Sequence, residues 1–229
     1  QFHMASGRLV GFEALARWQH PERGLLGPAQ FIAVAEEAGL IGDLGGWVLD
    51  EAIRQLAEWD VAGIHVPRMA VNVSIVQFLA QSLPALVRQI LDRHNVEPRR
   101  LELEITETVL VRDHKGVIKQ MRELAELGVK FALDDFGTGY SSLAYLQEYP
   151  VHTLKIAQEF VPENPRSEAI VGTVASMARA LGLGLVAEGV ETQRHAELLA
   201  EVGCTVGQGF LFSRAVPSEE AAEIARTHL

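Results

Sequence analysis

Short β-rich runs alternate with longer helical patterns along this chain, and nearly every run carries a polar residue at or near its carboxyl end. The runs are "RLVGFEALA" (8–16), "RMAVNVS" (68–74), "LELEIT" (101–106), "KFALDD" (130–135), "TLKIA" (153–157), "GLVAEG" (184–189) and "GFLF" (209–212). Between or after them, apolar residues recur at helical spacing over 28–39, 43–59, 82–94, 115–127, 165–181, 192–202 and 218–227. Strands separated by helices imply βαβ units and a largely parallel sheet. The polar set is Glu13, Asn72, Glu104, Asp134 with Asp135, Lys155, Glu188, and Gln208 just ahead of the last run. Unpaired charge in a buried strand is costly. An open, doubly wound sheet would spread these groups along a line. A (β/α)8-type barrel gathers strand ends around one mouth, where they can meet. The sequence therefore reads as one α/β domain, a TIM-like barrel over residues 1–229, with no Pro/Gly/Ser-rich linker dividing it.

Composition narrows the chemistry. Across 229 residues, 20 Lys and Arg face 30 Asp and Glu, a formal charge of −10. That balance argues against a sequence-independent grip on a nucleic-acid polymer, which relies on cations at phosphates. At 48% hydrophobic the chain can build a core without disulfides, and its single Cys204 reads as a small buried hydrophobe in a reducing, cytoplasmic setting. No run approaches a membrane span, so no membrane contact is expected of this domain. The abrupt start inside the first-strand region suggests a piece of a longer multidomain protein, which could be membrane-anchored through other regions.

Glu13, Glu104, Glu107, Asp134, Asp135, Glu188 and Glu191 would place seven carboxylates near one mouth, with Lys155 and Arg17 as cations. Crowded like charges raise one another's pKa unless cations compensate. Carboxylate and amide oxygens, without Cys or paired-His spacing, suit Mg²⁺, Mn²⁺ or Ca²⁺. Adjacent Asp residues can reach two ions, and two ions about 3.5–4 Å apart are a standard arrangement for cleaving phosphodiesters. The bland readings are local: Glu191 precedes Thr192 on the surface, and Glu107 could cap a following helix. "DDFGTGYSSL" (134–143) has the Gly/Ser content of a loop over a site. Its DFG lacks the other kinase elements, and no GxGxxG marks a dinucleotide fold.

Taken in order, "FEALARW" with Glu13-Ala14-Leu15, "NVS" (72–74), "EITET" (104–108), "DDFGTGYSSL", "LKI" (154–156), "AEGVET" (187–192) and "GQGFLF" (207–212) resemble the EAL-domain family of cyclic di-GMP phosphodiesterases over essentially the whole chain. The tripeptide alone carries no weight; seven motifs in order do. The resemblance implies a TIM-like barrel whose first strand is antiparallel to the rest. It implies hydrolysis of cyclic di-GMP to linear pGpG with two Mg²⁺ or Mn²⁺ ions, inhibition by Ca²⁺, and allows a homodimer. It assigns Glu13, Asn72, Glu104 and Asp134 to one ion, with Asp134 bridging to a second beside Asp135, Glu188 and Gln208. Lys155 matches the lysine that orients or deprotonates the attacking water, and Glu107 the glutamate that anchors the 134–143 loop. Arg17 matches a phosphate-holding residue, with Leu15, Gln208 and Glu191 also at the substrate.

A receptor that binds cyclic di-GMP without turning it over is the alternative from another class, and another metal-dependent barrel hydrolase a third. Trp47 and Trp59 fall in helical patterns and read as core, whereas Trp18 could stack a base. Ile170, Val174 and Met177 mark the 165–181 helix for packing or partner contact. Two positions depart from the family: Ala157 stands where Asp is usual, and His152 where Asp is frequent. An Asp at 157 would share a strand face with Lys155. Supporting groups around metal ligands commonly change activity on the order of 10–100-fold. Ala157→Asp is therefore expected to raise kcat or to saturate at lower metal, measured as turnover across a Mg²⁺ and Mn²⁺ titration; unchanged values would refute it.

Overall fold

The computed structural model describes residues 1–80, 82–107, 115–137, 146, 148–161 and 164–229. Residues 138–143 of the expected loop lie outside the described residues. Eleven short strands are present among the described residues: β1 (Phe2–His3), β2 (Arg8–Leu9), β3 (Phe12–Ala14), β4 (Trp18–His20), β5 (Gly24–Leu26), β6 (Met69–Asn72), β7 (Leu101–Thr106), β8 (Lys130–Phe136), β9 (Thr153–Ile156), β10 (Gly184–Ala187) and β11 (Val206–Gly207). Helices α1 (Ile32–Glu37), α2 (Ile41–Val61), α3 (Ile75–Ala80), α4 (Leu83–His94), α5 (Lys115–Leu127), α6 (Pro165–Leu181), α7 (Gln193–Glu201) and α8 (Ser218–His228) accompany them.

Nine strands form one sheet in the order β2-β1-β11-β10-β9-β8-β7-β6-β3, while β4 and β5 make a separate hairpin. The two ends of that order, β2 and β3, are separated in the chain only by Val10 and Gly11. The backbone itself thus joins the two ends of the sheet. Val10 N donates to Gln1 O at 2.9 Å and Phe12 N to Arg68 O at 3.0 Å. A Cβ at Gly11 would stand 2.7 Å from Arg68 O, so only glycine lets the chains meet at this seam. This seam brings the two ends of the sheet together, in keeping with the TIM-like barrel read from the sequence.

β3 and β6 to β11 run parallel, and β1 pairs antiparallel with both β11 and β2. The antiparallel first strand is therefore Phe2–His3, not the 8–16 run, which splits into β2 and β3. Two residues are too few for any periodicity, so β1 had no sequence signal. The expected 209–212 strand is also displaced. Its place is taken by β11 at Val206–Gly207, after which Gly209 lets the backbone turn against Val190; a Cβ there would lie 2.3 Å from Val190 N and O. Gln208 consequently follows its strand rather than preceding it.

Apolar strand side chains and the apolar faces of the helices pack in two buried clusters, a larger one joining α2, α4 and α5 to the sheet and a smaller one around Ile156, Val171, Ala187 and Leu199. In α2, Leu49, Ala52, Ile53, Leu56 and Trp59 are buried at helical spacing, and burying each large apolar side chain contributes about 1.5–3 kcal/mol. Trp59 packs on Phe12, with ring centroids 5.5 Å apart. Trp47 departs from the core expectation: it is 57% exposed and, with Trp59, lines the cavity that also takes in Glu13 and Arg17. On α6 the packed residues are Val171, Ala175 and Ala178, flanked by Val174 and Met177. Asn164 caps this helix by accepting from Arg166 N and Ser167 N. Cys204 is fully buried as expected, and burial pushes its thiol up to about 12. No helix among the described residues is long and apolar enough to cross a membrane.

His152 bonds to β8 just before β9 begins. His152 N donates to Phe131 O at 2.8 Å, and the ring Nδ1 accepts from Phe131 N at 3.2 Å. Burial, then the Lys130 charge, hold its pKa below the ordinary histidine value. The fold thus favours neutral imidazole, and this contribution is lost as pH falls through the unfolded value near 6.5. The urea midpoint should therefore fall more from pH 7.5 to 5.5 in the native protein than in His152→Gln; equal falls would refute this role.

Candidate active site

The polar residues singled out at strand ends converge around Lys155. Glu13 lies in β3, Asn72 ends β6, Glu104 is in β7, Asp134 and Asp135 in β8, Lys155 in β9, and Glu188 and Gln208 directly follow β10 and β11. Lys155 is 1% exposed. Its Nζ lies 2.7 Å from Glu104 Oε2, 2.8 Å from Glu188 Oε1, 3.0 Å from Asp134 Oδ1 and 3.6 Å from Glu13 Oε2. Two amides tie the carboxylates together. Asn72 Nδ2 donates to Glu13 Oε1 at 2.8 Å and to Glu104 Oε2 at 3.3 Å. Gln208 Nε2 donates to Glu13 Oε2 at 2.9 Å and Glu188 Oε1 at 2.8 Å.

A β-bulge presents the two aspartates. The β8–β9 pairing runs through Leu133 with Leu154 and resumes at Phe136 with Ile156, so Asp134 and Asp135 stand against Lys155 alone. Asp135 takes a left-handed backbone, φ 53°, which Asp tolerates better than most residues. Its N donates to Asp134 Oδ1 at 3.1 Å. Carboxylate oxygens of Asp134, Asp135 and Glu188 lie within 4.8 Å of one another, a spacing able to hold a metal ion. Glu13 and Glu104, by contrast, turn their carboxylates towards Lys155 and the amides.

The electrostatics match. Burial opposes the Lys155 ammonium, but Glu104, Glu13, Glu188 and Asp134 outweigh it and hold its pKa well above the ordinary lysine value. Burial raises Glu104 well above the carboxylate range, against the pull of Lys155. Glu188 is pushed up to about 7, by burial first and against Lys155. Burial, then Asp134, raises Asp135. Glu13 ends below its usual value, because Lys155, Gln208 and Asn72 overcome its burial. Glu104 Oε1 is buried without a hydrogen-bond partner among the described residues. Four carboxylates thus share one ammonium, with Asp135 a fifth beside them, and this hard-oxygen set with its surplus of negative charge fits divalent cations.

Glu13, Leu15, Arg17, Glu188, Glu191 and Gln208 also line a cavity of about 860 Å³. Leu15 is 43% exposed at its rim, and Arg17 is exposed, its Nη1 donating to Ala16 O at 2.9 Å. Sequence reasoning missed Phe210 and Arg214, which line the same cavity with the guanidinium 3.9 Å above the Phe210 ring. Their signal was lost when 209–212 was read as a strand. Glu107 is buried, and its Oε2 accepts from Gly137 N at 3.2 Å, where the 134–143 segment departs from β8.

Fold and site together define a TIM-like barrel with an acidic mouth able to hold metal. Residues 1–215 match the family model described as the EAL domain, and the chain belongs to that family. It is 44% identical over 218 residues to the Pseudomonas aeruginosa protein MucR, described as a bifunctional diguanylate cyclase/cyclic di-GMP phosphodiesterase; the match covers 94% of this chain and 32% of MucR. A solved structure titled as the MucR phosphodiesterase in complex with c-di-GMP superposes with a TM-score of 0.89 at 43% identity, covering 94% of this chain and 89% of that one. A Klebsiella pneumoniae BlrP1 structure, titled a calcium/cy-diGMP complex, gives 0.80 at 29% identity over 93% of this chain and 53% of its own. The chain spans about a third or less of the length of curated relatives such as MucR, at 32%, and the Escherichia coli oxygen sensor DosP, at 28%.

Because a negative surplus strains the metal-free site, a divalent cation should stabilise the fold. At a hundredfold excess over Kd the gain is about 2.7 kcal/mol, or about 5–10 °C in Tm for a domain of this size. Asp135→Asn keeps a residue at ease in the left-handed region and removes one like charge. It should raise the metal-free Tm and shrink the rise with Mn²⁺, as read by calorimetry; a full rise would exclude Asp135 from the metal set.

Proposed function

We propose that this domain hydrolyses cyclic di-GMP to linear pGpG, using two Mg²⁺ or Mn²⁺ ions. The observation that carries the reading is the buried Lys155 ammonium held by Glu13, Glu104, Asp134 and Glu188 beside the Asp134–Asp135 bulge. The cyclic di-GMP named for MucR and BlrP1 supports the choice of substrate. Glu13, Asn72, Glu104, Asp134, Asp135, Glu188 and Gln208 would hold the ions, which when bound supply an activated water and neutralise the reacting phosphate.

The chain's own residues do the remainder. Arg17 offers a guanidinium fork to a substrate phosphate, with Leu15, Gln208 and Glu191 around it. Lys155, held among the carboxylates that would bind the ions, is placed to orient or deprotonate the attacking water. The water oxygen gives up a proton as it joins phosphorus, the bond from phosphorus to the 3′ oxygen breaks, and that oxygen takes up a proton, so one water and cyclic di-GMP give linear pGpG. Glu107 holds the departing end of β8 through Gly137. Ca²⁺ prefers looser, higher coordination than Mg²⁺, so it would occupy the site without supporting turnover. The greater length of the relatives supports reading this domain as one part of a longer, multidomain signalling protein.

The receptor reading is favoured by one observation: Ala157 is buried directly after Lys155-Ile156 and brings no carboxylate to the site. Release of pGpG from cyclic di-GMP with Mg²⁺ or Mn²⁺ separates the two readings. Glu13→Gln keeps the shape of the side chain and weakens a hard-cation ligand. It should lose more than tenfold in rate, about 1.4 kcal/mol of transition-state stabilisation, with the fold intact. Binding of cyclic di-GMP without turnover would favour the receptor.

A further inference from the structure

β7 and β9 reach each other past the strand between them. β8 separates the two in the sheet, yet Lys155 Nζ donates to Glu104 Oε2 at 2.7 Å and Thr153 Oγ1 donates to Glu102 Oε1 at 2.9 Å. Thr153 and Lys155 are two apart on β9, and Glu102 and Glu104 two apart on β7, so each pair shares one strand face. The contacts form two rungs across the barrel interior. The Thr153 rung is anchored again. Arg68 Nη1 donates to the same Glu102 Oε1 at 3.0 Å, and Arg68 Nη2 to Gln1 Oε1 at 2.9 Å. Glu102 and Thr153 are both buried. A buried carboxylate paired to a guanidinium is a fixed acceptor, because leaving it would strand both charges.

This rung lies where the backbone ladder is about to fail. Ala132 still pairs with Thr153 and Leu133 with Leu154, but the bulge then sets Asp134 and Asp135 against Lys155 alone. On that side of β9, Thr153 makes the last inward side-chain bond before the bulge. We propose that Thr153 is a positioning residue: through Glu102 and Arg68 it fixes the height and direction of β9, so that the Lys155 ammonium sits among Glu104, Asp134 and Glu188. Its effect on turnover rests on the hydrolase reading above; its effect on Lys155 does not.

Two readouts test it. Thr153→Val keeps the shape and removes the donor, whereas Thr153→Ser keeps the hydroxyl. A small displacement of a reacting group can cost up to about a hundredfold, so Thr153→Val should lose tenfold or more in kcat with KM for cyclic di-GMP within about twofold, and Thr153→Ser should lie within about threefold of native. The second readout needs no turnover. The buried Lys155 ammonium should give a protected ¹H–¹⁵N signal, assigned by its loss in Lys155→Arg. Thr153→Val should shift it and speed its solvent exchange, and Thr153→Ser should not. If valine prevents folding, Thr153→Ala carries the same comparison. A folded Val or Ala variant that keeps native kcat, or loses affinity alone, overturns the proposal, as does an unmoved ammonium signal. Native protein that shows the signal changes but does not hydrolyse cyclic di-GMP overturns the hydrolase reading and leaves the positioning of Lys155 standing.

Discussion

A lysine shut inside a barrel must find negative charge, and the site is organised around that need. Desolvating an ammonium costs several kcal/mol, repaid only by close, well-directed partners. Lys155 takes them from β3, β7, β8 and the residue after β10, elements spread through most of the chain. The carboxylates need the lysine in turn, since without it they would crowd one another in a poorly solvated interior. Even so the charges do not balance. Four carboxylates contact one ammonium with Asp135 beside them, and burial, which raises the pKa values of Glu104, Glu188 and Asp135, adds to the cost of that surplus. The same surplus that strains the metal-free protein makes the mouth receptive to divalent cations.

Two backbone irregularities make the pairing possible. At the seam, Gly11 admits Arg68 O closely enough for β2 and β3 to join the ends of the sheet. Without closure, Glu13 on one edge strand could not meet Gln208 and Glu188 from the far side of the sheet order. At the bulge, Asp135 accepts a left-handed backbone that costs of order 1–3 kcal/mol for an ordinary residue, and less for Asp. In return two successive carboxylates reach the site from one strand. A regular strand would send every second side chain to the opposite face.

Much of the barrel was readable before any coordinates. β7 and α5 fall where "LELEIT" and the 115–127 pattern put them, because a buried strand and an amphipathic helix leave strong local periodicity. Polar residues at strand ends were legible for a physical reason: charge among Val, Ile and Leu is unfavourable unless a site uses it. What stayed hidden lacked a local period. β1 is two residues long, and β11 is equally short beside a glycine turn that resembled a strand. Trp47 shares its helix with Trp59 yet stays exposed at the cavity, which depends on what α2 packs against. Phe210 and Arg214 meet over the cavity through a turn no spacing rule describes.

By itself, then, the sequence determined the alternation of the central strands and helices, the choice of a barrel over an open sheet, and which oxygen-bearing residues face its mouth. Those follow from periodicity and from the cost of buried charge, both of which act over a few residues. Only the tertiary structure decided which strand runs antiparallel, that Lys155 lies among Glu13, Glu104, Asp134 and Glu188, and that Thr153 reaches Glu102 past an intervening strand. These depend on register and closure between segments tens to hundreds of residues apart, which no local window contains.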